Sequence, residues 1–287
     1  MKRRLPLVLY SGLFFLKLGA YFYTGYFVLL AEALHSIVDA VLIFILVISR
    51  KITIKPADYS HPFGHERMEN IASVIVSVSF ITIVSFEIIK ESALKIIYHT
   101  PPIYGSPGAA YFVLLVSFSL VMFLTYYSRK KEGAFEKTVF VETINDQLAT
   151  GGAFLGIFFA EMGYTLLDPI FGGVIGVLIA INAFTLLKYN ISFLLGKSPS
   201  DDFYENVEKT VHAINEVRGV HDIIAEYIGE DSIHIDLHVT LDPSMSIEEA
   251  DRLTEKISRV LKEGDPRIKY TTVHVCPHFG NRRRLKG

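Results

Sequence analysis

The stretch AEALHSIVDA, residues 31–40, decides how this chain is read. It lies inside an apolar run long enough to cross a bilayer, yet it carries Glu32, His35 and Asp39. His35 and Asp39 stand four positions apart, about one helical turn, so they project from the same face. Ionisable side chains at that depth are costly and need a partner or a cation to offset them. A second stretch, VETINDQLATGG at residues 141–152, places Glu142 and Asp146 four apart in another apolar run. If the two helices touch, His35, Asp39, Glu142 and Asp146 converge on one point, with the small residues Ala149, Gly151 and Gly152 permitting close approach. Burying three carboxylates without a cation is prohibitive, so the constellation calls for a metal or protons. A tetrahedral set of imidazole and carboxylate donors suits zinc.

Working outward, the chain has 287 residues, 51% of them hydrophobic, with a formal net charge of only −2. With a mean hydropathy of +0.36, this is expected of a protein part membrane and part aqueous, and nothing in the charge calls for nucleic acid. Apolar stretches of spanning length fall at about 6–26, 28–49, 70–97, 109–128, 139–161 and 168–195. Basic residues sit before the first stretch (Lys2, Arg3, Arg4) and after the second (Arg50, Lys51, Lys55), the fourth (Arg129, Lys130, Lys131, Lys137) and the sixth (Lys197). The opposite loops contain no Lys or Arg, so both termini are expected in the cytoplasm. The basic start followed by an apolar run is read as a retained first helix, because no small-residue cleavage site follows it. Lys17, inside the first span, should pair with an acid or snorkel. The one cysteine, Cys276, excludes an intrachain disulfide.

After Ser200 the pattern becomes that of a small aqueous domain. DDFYENVEKTVHAINEV has helical spacing with an acidic start, and GVHDIIAEYIG and SIHIDLHVTLD alternate as strands. SIEEADRLTEKISRVLK is an amphipathic helix whose Ser246 and Glu249 fit a capping box, and KYTTVHVCP reads as a last strand. The expected order is α-β-β-α-β, a compact α+β layer with its helices on one sheet face. The division is then 1–199 for a six-helix membrane domain and 200–287 for the aqueous one.

These features together resemble the cation diffusion facilitators, a family of metal/proton antiporters, over nearly the whole chain. The resemblance implies six transmembrane helices plus a ferredoxin- or metallochaperone-like cytoplasmic domain that binds metal and dimerises. It makes His35, Asp39, Glu142 and Asp146 the transport site. Glu142 departs from the pattern, since many zinc-transporting members have histidine there; a harder donor set loosens discrimination against manganese, iron(II) and cobalt. In PADYSHPFGHERMEN, residues 56–70, Asp58, His61 and His65 resemble the ligands of the family's loop-borne metal site. His65-Glu66 also begins like a zincin motif, but Glu69 stands where the second histidine should be. In the aqueous domain the resemblance singles out His221, His238, His274 and Cys276, with Asp251 where relatives carry histidine; Cys276, standing for the aspartate of the relatives' motif, makes the site softer and more zinc-selective.

The expected activity is efflux of a divalent cation, zinc first, across the plasma (inner) membrane in exchange for protons. Ligands must be deprotonated to bind metal, so protons and metal compete. His35 and Glu142 are the expected proton carriers, because imidazole titrates near neutrality and crowded carboxylates share protons. Expected partners are the metal, protons, membrane lipid and a second copy of the chain, with no nucleic acid and no organic cofactor. Alternatives are an exporter of manganese, iron(II) or cobalt, a membrane-embedded metal-dependent hydrolase, and a sensor that no longer transports. Four protein ligands leave no open position for a hydrolytic water, which speaks against the hydrolase.

Overall fold

A computed structural model describes residues 4–53, 55–98, 104–129, 134–229 and 231–277; among these, the side chains of residues 4, 46, 49–53, 134–139, 141 and 142 lie outside the description. The chain forms two compact units, one of Met1–Ile52 with Ile71–Asn190, the other of Thr53–Asn70 with Ile191–Gly287.

The first unit is helical. Its rods are α1 (Arg4–Thr24), α2 (Phe27–Thr53), α3 (Arg67–Ser79) continued through a π-helical stretch, Phe80–Ser85, into α4 (Phe86–Ile97), then α5 (Pro107–Arg129), α6 (Ala134–Glu161) and α7 (Leu167–Leu194). Among the described residues, five stretches have the length and apolarity to cross a membrane: Leu5–Thr24, Phe27–Ile45, Arg67–Ile97, Pro107–Arg129 and Leu167–Leu194. The sixth rod, α6, has the length but bears Glu136, Lys137, Glu142 and Asp146 along it. Large apolar side chains such as Phe15, Phe22, Phe112 and Ile181 stand exposed on the outside. A water-soluble bundle would hide them; a lipid-facing one need not.

Small residues make the interior tight. Ala31 of α2 and Ala149 and Ala153 of α6 lie in one buried cluster with Val28, Leu114 and Ile157. The glycines expected to bring α2 and α6 together act elsewhere. A Cβ on Gly152 would meet Phe171 of α7 at 3.7 Å, and one on Gly151 would meet nothing within 4 Å. The close approach to α2 comes from α7, where a Cβ on Gly172 would lie 2.6 Å from the Phe27 ring. The start of α2 is held in the same place. Gly25, at φ 76°, turns the chain out of α1, and the Asp168 carboxylate of α7 accepts the backbone N–H groups of Phe27 (2.8 Å) and Val28 (2.9 Å). Tyr104 donates to the same carboxylate at 3.0 Å. A carboxylate at a helix N-terminus satisfies free donors and complements the helix dipole.

The second unit carries α8 (Asp201–His212), β1 (Gly219–Gly229), β2 (Ser232–Thr240), α9 (Ile247–Gly264) and β3 (Ile268–Cys276), the α-β-β-α-β order read from the sequence. The sheet order is β1-β2-β3. β2 pairs antiparallel with β1 and parallel with β3, the latter made possible by the α9 crossover. Ile233, Ile235, Leu237 and Val239 of β2 share one core with Phe203, Val207 and Val211 of α8 and Leu253, Ile257 and Leu261 of α9. Both helices therefore cover one face, and His234, Asp236 and His238, offset by one residue, point to the other. The Ser246–Glu249 capping box is formed: Glu249 N–H donates to Ser246 Oγ at 3.2 Å and Ser246 N–H to Glu249 Oε2 at 2.9 Å.

Candidate metal centres

Within the helical unit, His35, Asp39 and Asp146 each offer a ligand atom within 4.8 Å of the others, and all three are buried. The helical turn in α2 aligns His35 with Asp39, while α6 brings Asp146 to them across the bundle. His35 Nε2 lies 3.1 Å from Asp146 Oδ1 and 3.7 Å from Asp39 Oδ2. His35 Nδ1 is buried and makes no hydrogen bond among the described residues. The Glu142 side chain lies outside the described residues.

Two contacts around this cluster involve partners that the sequence did not name. Tyr10 of α1, 1% exposed, donates its hydroxyl to Asp146 Oδ2. Lys17, whose side chain is 4% exposed, lies 2.7 Å from Glu32 Oε2 and 3.0 Å from Ser36 Oγ. Thr150 of α6 donates to the same Glu32 oxygen at 2.9 Å. The expected need of Lys17 for an acidic partner is thus met by Glu32, and α1, α2 and α6 are tied together one turn from His35. A phenol among the many aromatics of α1 carries no spacing signal. The Lys17–Glu32 pair could have been sought, because two opposite buried charges in neighbouring spans must find partners.

In the second unit, Asp58, His61 and His65 also converge within 4.8 Å. Asp58 Oδ1 accepts from Ser60 Oγ at 2.7 Å and from the His61 backbone at 2.7 Å, folding the loop back on itself. Those bonds, Ser60 first, hold the Asp58 carboxyl down at about 2, so it is ionised at neutral pH. The His61 and His65 rings lie 4.1 Å apart, and His65 Nδ1 is buried without a hydrogen bond among the described residues. Phe63 of the same loop packs on the His234 ring at 5.0 Å and edge-on to Tyr270 at 5.1 Å. That gives His234, a residue without a role from the sequence, a packing one.

On the open sheet face, His221 of β1, His238 of β2 and Cys276 of β3 form the third convergence within 4.8 Å. Strand register makes it: His221 pairs with His238, and β3 lies alongside in parallel. Cys276 Sγ is 3.6 Å from His238 Nδ1, and His221 Nε2 is buried with no hydrogen bond among the described residues. Burial, then the neighbouring His274 and His221 imidazoles, push the His238 pKa below its ordinary value. Burial, then the Asp222 charge, push the Cys276 thiol up. Two imidazoles and a thiol within this span match the donor set and reach of a zinc site. The His274 ring lies 4.5 Å from that of His238 but stands outside the tight group. Asp251 does not join it: it is exposed on α9, whose Leu253 and Ile257 face the core on the opposite side of the sheet.

A rod bundle with a buried imidazole–carboxylate cluster, joined to a small sheet domain with its own metal-ligand group, defines a multi-pass membrane protein that handles metal ions. Comparisons with known proteins agree. A family model for the cation efflux transmembrane domain matches residues 5–195, and one for the cation efflux protein cytoplasmic domain matches residues 199–278. The chain belongs to the cation efflux, or cation diffusion facilitator, family. It is a divalent-metal transporter rather than an enzyme, which removes the hydrolase alternative. An uncharacterized transporter of Methanocaldococcus jannaschii is 29% identical over 250 residues, 86% of this chain and 87% of that protein. The manganese efflux system protein MneS of Bacillus subtilis is 27% identical over 257 residues, 87% of this chain and 85% of that protein. A cadmium, cobalt and zinc/H(+)-K(+) antiporter of Bacillus velezensis is 23% identical over 271 residues, 93% of this chain and 85% of that protein. Among solved structures, a cadmium form of the MamM CTD is 20% identical, covers 28% of this chain and 98% of its own, and gives a TM-score of 0.26.

Proposed function

We propose that this protein exports a divalent cation, zinc first, from the cytoplasm in exchange for protons, through a transport site of His35, Asp39, Glu142 and Asp146. The observation that carries the reading is His35 Nε2, 3.1 Å from Asp146 Oδ1 and 3.7 Å from Asp39 Oδ2. The same nitrogen and oxygens can hold either a shared proton or a cation, so loading one expels the other. His35 and Glu142 carry the exchanged protons, and alternating exposure of the site couples the two fluxes. The basic loops support cytoplasmic termini and residence in the plasma (inner) membrane. Residues 1–199 serve transport; residues 200–287 form a cytoplasmic dimerisation domain in which His221, His238 and Cys276 bind regulatory metal, with His274 beside them. The loop group Asp58, His61 and His65 takes a further ion. Metal held between two copies biases the transport domain, a coupling between distinct sites.

Manganese is the second reading, favoured by the carboxylate-rich donor set and by the manganese efflux role of the relative MneS. The test is flux in liposomes: the purified protein moves zinc against an imposed pH gradient, and Asp146→Ala stops it. Persistent transport by that variant refutes the site; manganese flux far exceeding zinc flux replaces the metal.

A further inference from the structure

We infer that Tyr10 is a specificity-determining residue of the transport site, its hydroxyl donating to one oxygen of Asp146 and thereby favouring metal binding by that carboxylate through its other oxygen alone. The inference rests on the proposed transport-site reading and deepens it. Asp146 uses its two oxygens differently: Oδ1 faces His35 Nε2 at 3.1 Å, and Oδ2 accepts the Tyr10 hydroxyl. The phenol does not reach it by chance of rotamer. Its ring is 1% exposed and packs with Ala40 and Ile43 of α2 and Leu124 of α5 in a small core of its own. The hydroxyl is therefore aimed by packing across three helices, at no further cost in side-chain freedom.

The chemical consequence lies in denticity. A carboxylate with both oxygens free can chelate, raising the coordination number by one, as suits larger, hard ions that take six or more ligands. With one Oδ2 lone pair taken by a phenol and its charge partly neutralised, Oδ1 is the better donor and one-oxygen binding is favoured, as suits a four-coordinate tetrahedral ion such as zinc. Tyr10 thus works against the loosening that Glu142 introduces: one residue hardens the donor set, the other disfavours a second metal bond from Asp146. Outer groups that orient a ligand commonly change metal affinity or activity by roughly 10–100-fold when removed.

The experiment compares zinc and manganese transport by the full-length protein in liposomes, for the native chain, Tyr10→Phe and Asp146→Asn. Tyr10→Phe keeps the ring and deletes only the hydroxyl. The expected result is a fall in the zinc-to-manganese kcat/KM ratio of about tenfold, carried by a raised zinc KM. Tyr10→Met, which fills the space with a flexible apolar chain, must shift the ratio in the same direction, so the inference survives a poorly folded first variant. A ratio within about twofold of native in both Tyr10 variants, or an equal loss for both metals, overturns it. Asp146→Asn separates this from the parent reading: if it transports normally, the site assignment fails, whereas if it is inert while the Tyr10 variants keep the native ratio, the Tyr10 inference alone fails.

Discussion

The buried cluster of the helical unit and the open-face cluster of the sheet each bring three candidate metal-ligand side chains within similar reach, but they are held in opposite ways. His35 and Asp39 share one helix, and Asp146 reaches them from another, so their spacing depends on two rods staying in register. His221, His238 and Cys276 sit on three adjacent strands whose register is locked by backbone hydrogen bonds. The donors differ too: oxygen-rich and buried in one, imidazole and thiol at a partly open face in the other. Under the proposed function the helical site must release its ion, which hard donors on separable helices favour. A site that must retain one benefits from soft donors on a rigid frame.

The sharpest way to break this contrast is to damage each group in turn. Under the proposed function, Asp39→Asn lowers zinc flux by more than the roughly hundredfold that outer groups reach, while His238→Ala leaves flux largely in place and lowers the number of zinc ions bound per chain. Liposome flux and equilibrium binding on the two variants give the answer; parallel losses in both assays erase the distinction.

Next in size is the ion pair that ties α1 to α2 and α6. Lys17→Met strands Glu32 in the interior, and removing one partner of a buried pair costs about 3–5 kcal/mol. Thermal unfolding in detergent should show this loss, with much of it restored in Lys17→Met combined with Glu32→Leu. If the single variant is as stable as the native chain, the pair does not hold the helices.

The smallest effect concerns pH and belongs to the sheet. The His238 pKa in the fold lies below the ordinary 6.5, so just under that pH the folded state binds fewer protons than the unfolded chain. Stability contributed by neutral His238 is present above 6.5 and is lost as pH falls through that value toward the folded pKa. Melting of the chelator-treated protein should therefore decline on acidification from neutrality, with a shallower slope in His238→Gln.

The convergence of His35, Asp39 and Asp146 was legible in the sequence because helices repeat: four-residue spacing in an apolar run specifies a face before any contact is seen. The aqueous domain was legible for the same kind of reason, through strand alternation and the Ser246–Glu249 box. Tyr10 was not, since one phenol in an aromatic-rich helix has no period to set it apart and its partner lies 136 residues away. Lys17 announced a need without naming Glu32. The glycines of α6 misled, because small residues mark close approach but not the neighbour approached. Asp251 was placed by resemblance alone, and its position on the solvent side of α9 follows from the apolar stripe of Leu253, Ile257 and Leu261 turning the other way. The π-helical stretch Phe80–Ser85 has no sequence signature, its Thr82 and Ser85 being ordinary for its surroundings, which carry Ser77, Ser79 and Glu87.

The Asp168 carboxylate, bonded to the first backbone amides of α2, anchors the start of that helix. His35 lies eight residues along from Phe27, a span of about 12 Å at 1.5 Å per residue. A swing of roughly 10° about the Asp168 anchor carries the imidazole through about 2 Å, the length of one metal bond. Under the proposed function, so small a motion is thus large enough, at His35, to decide whether an ion is held.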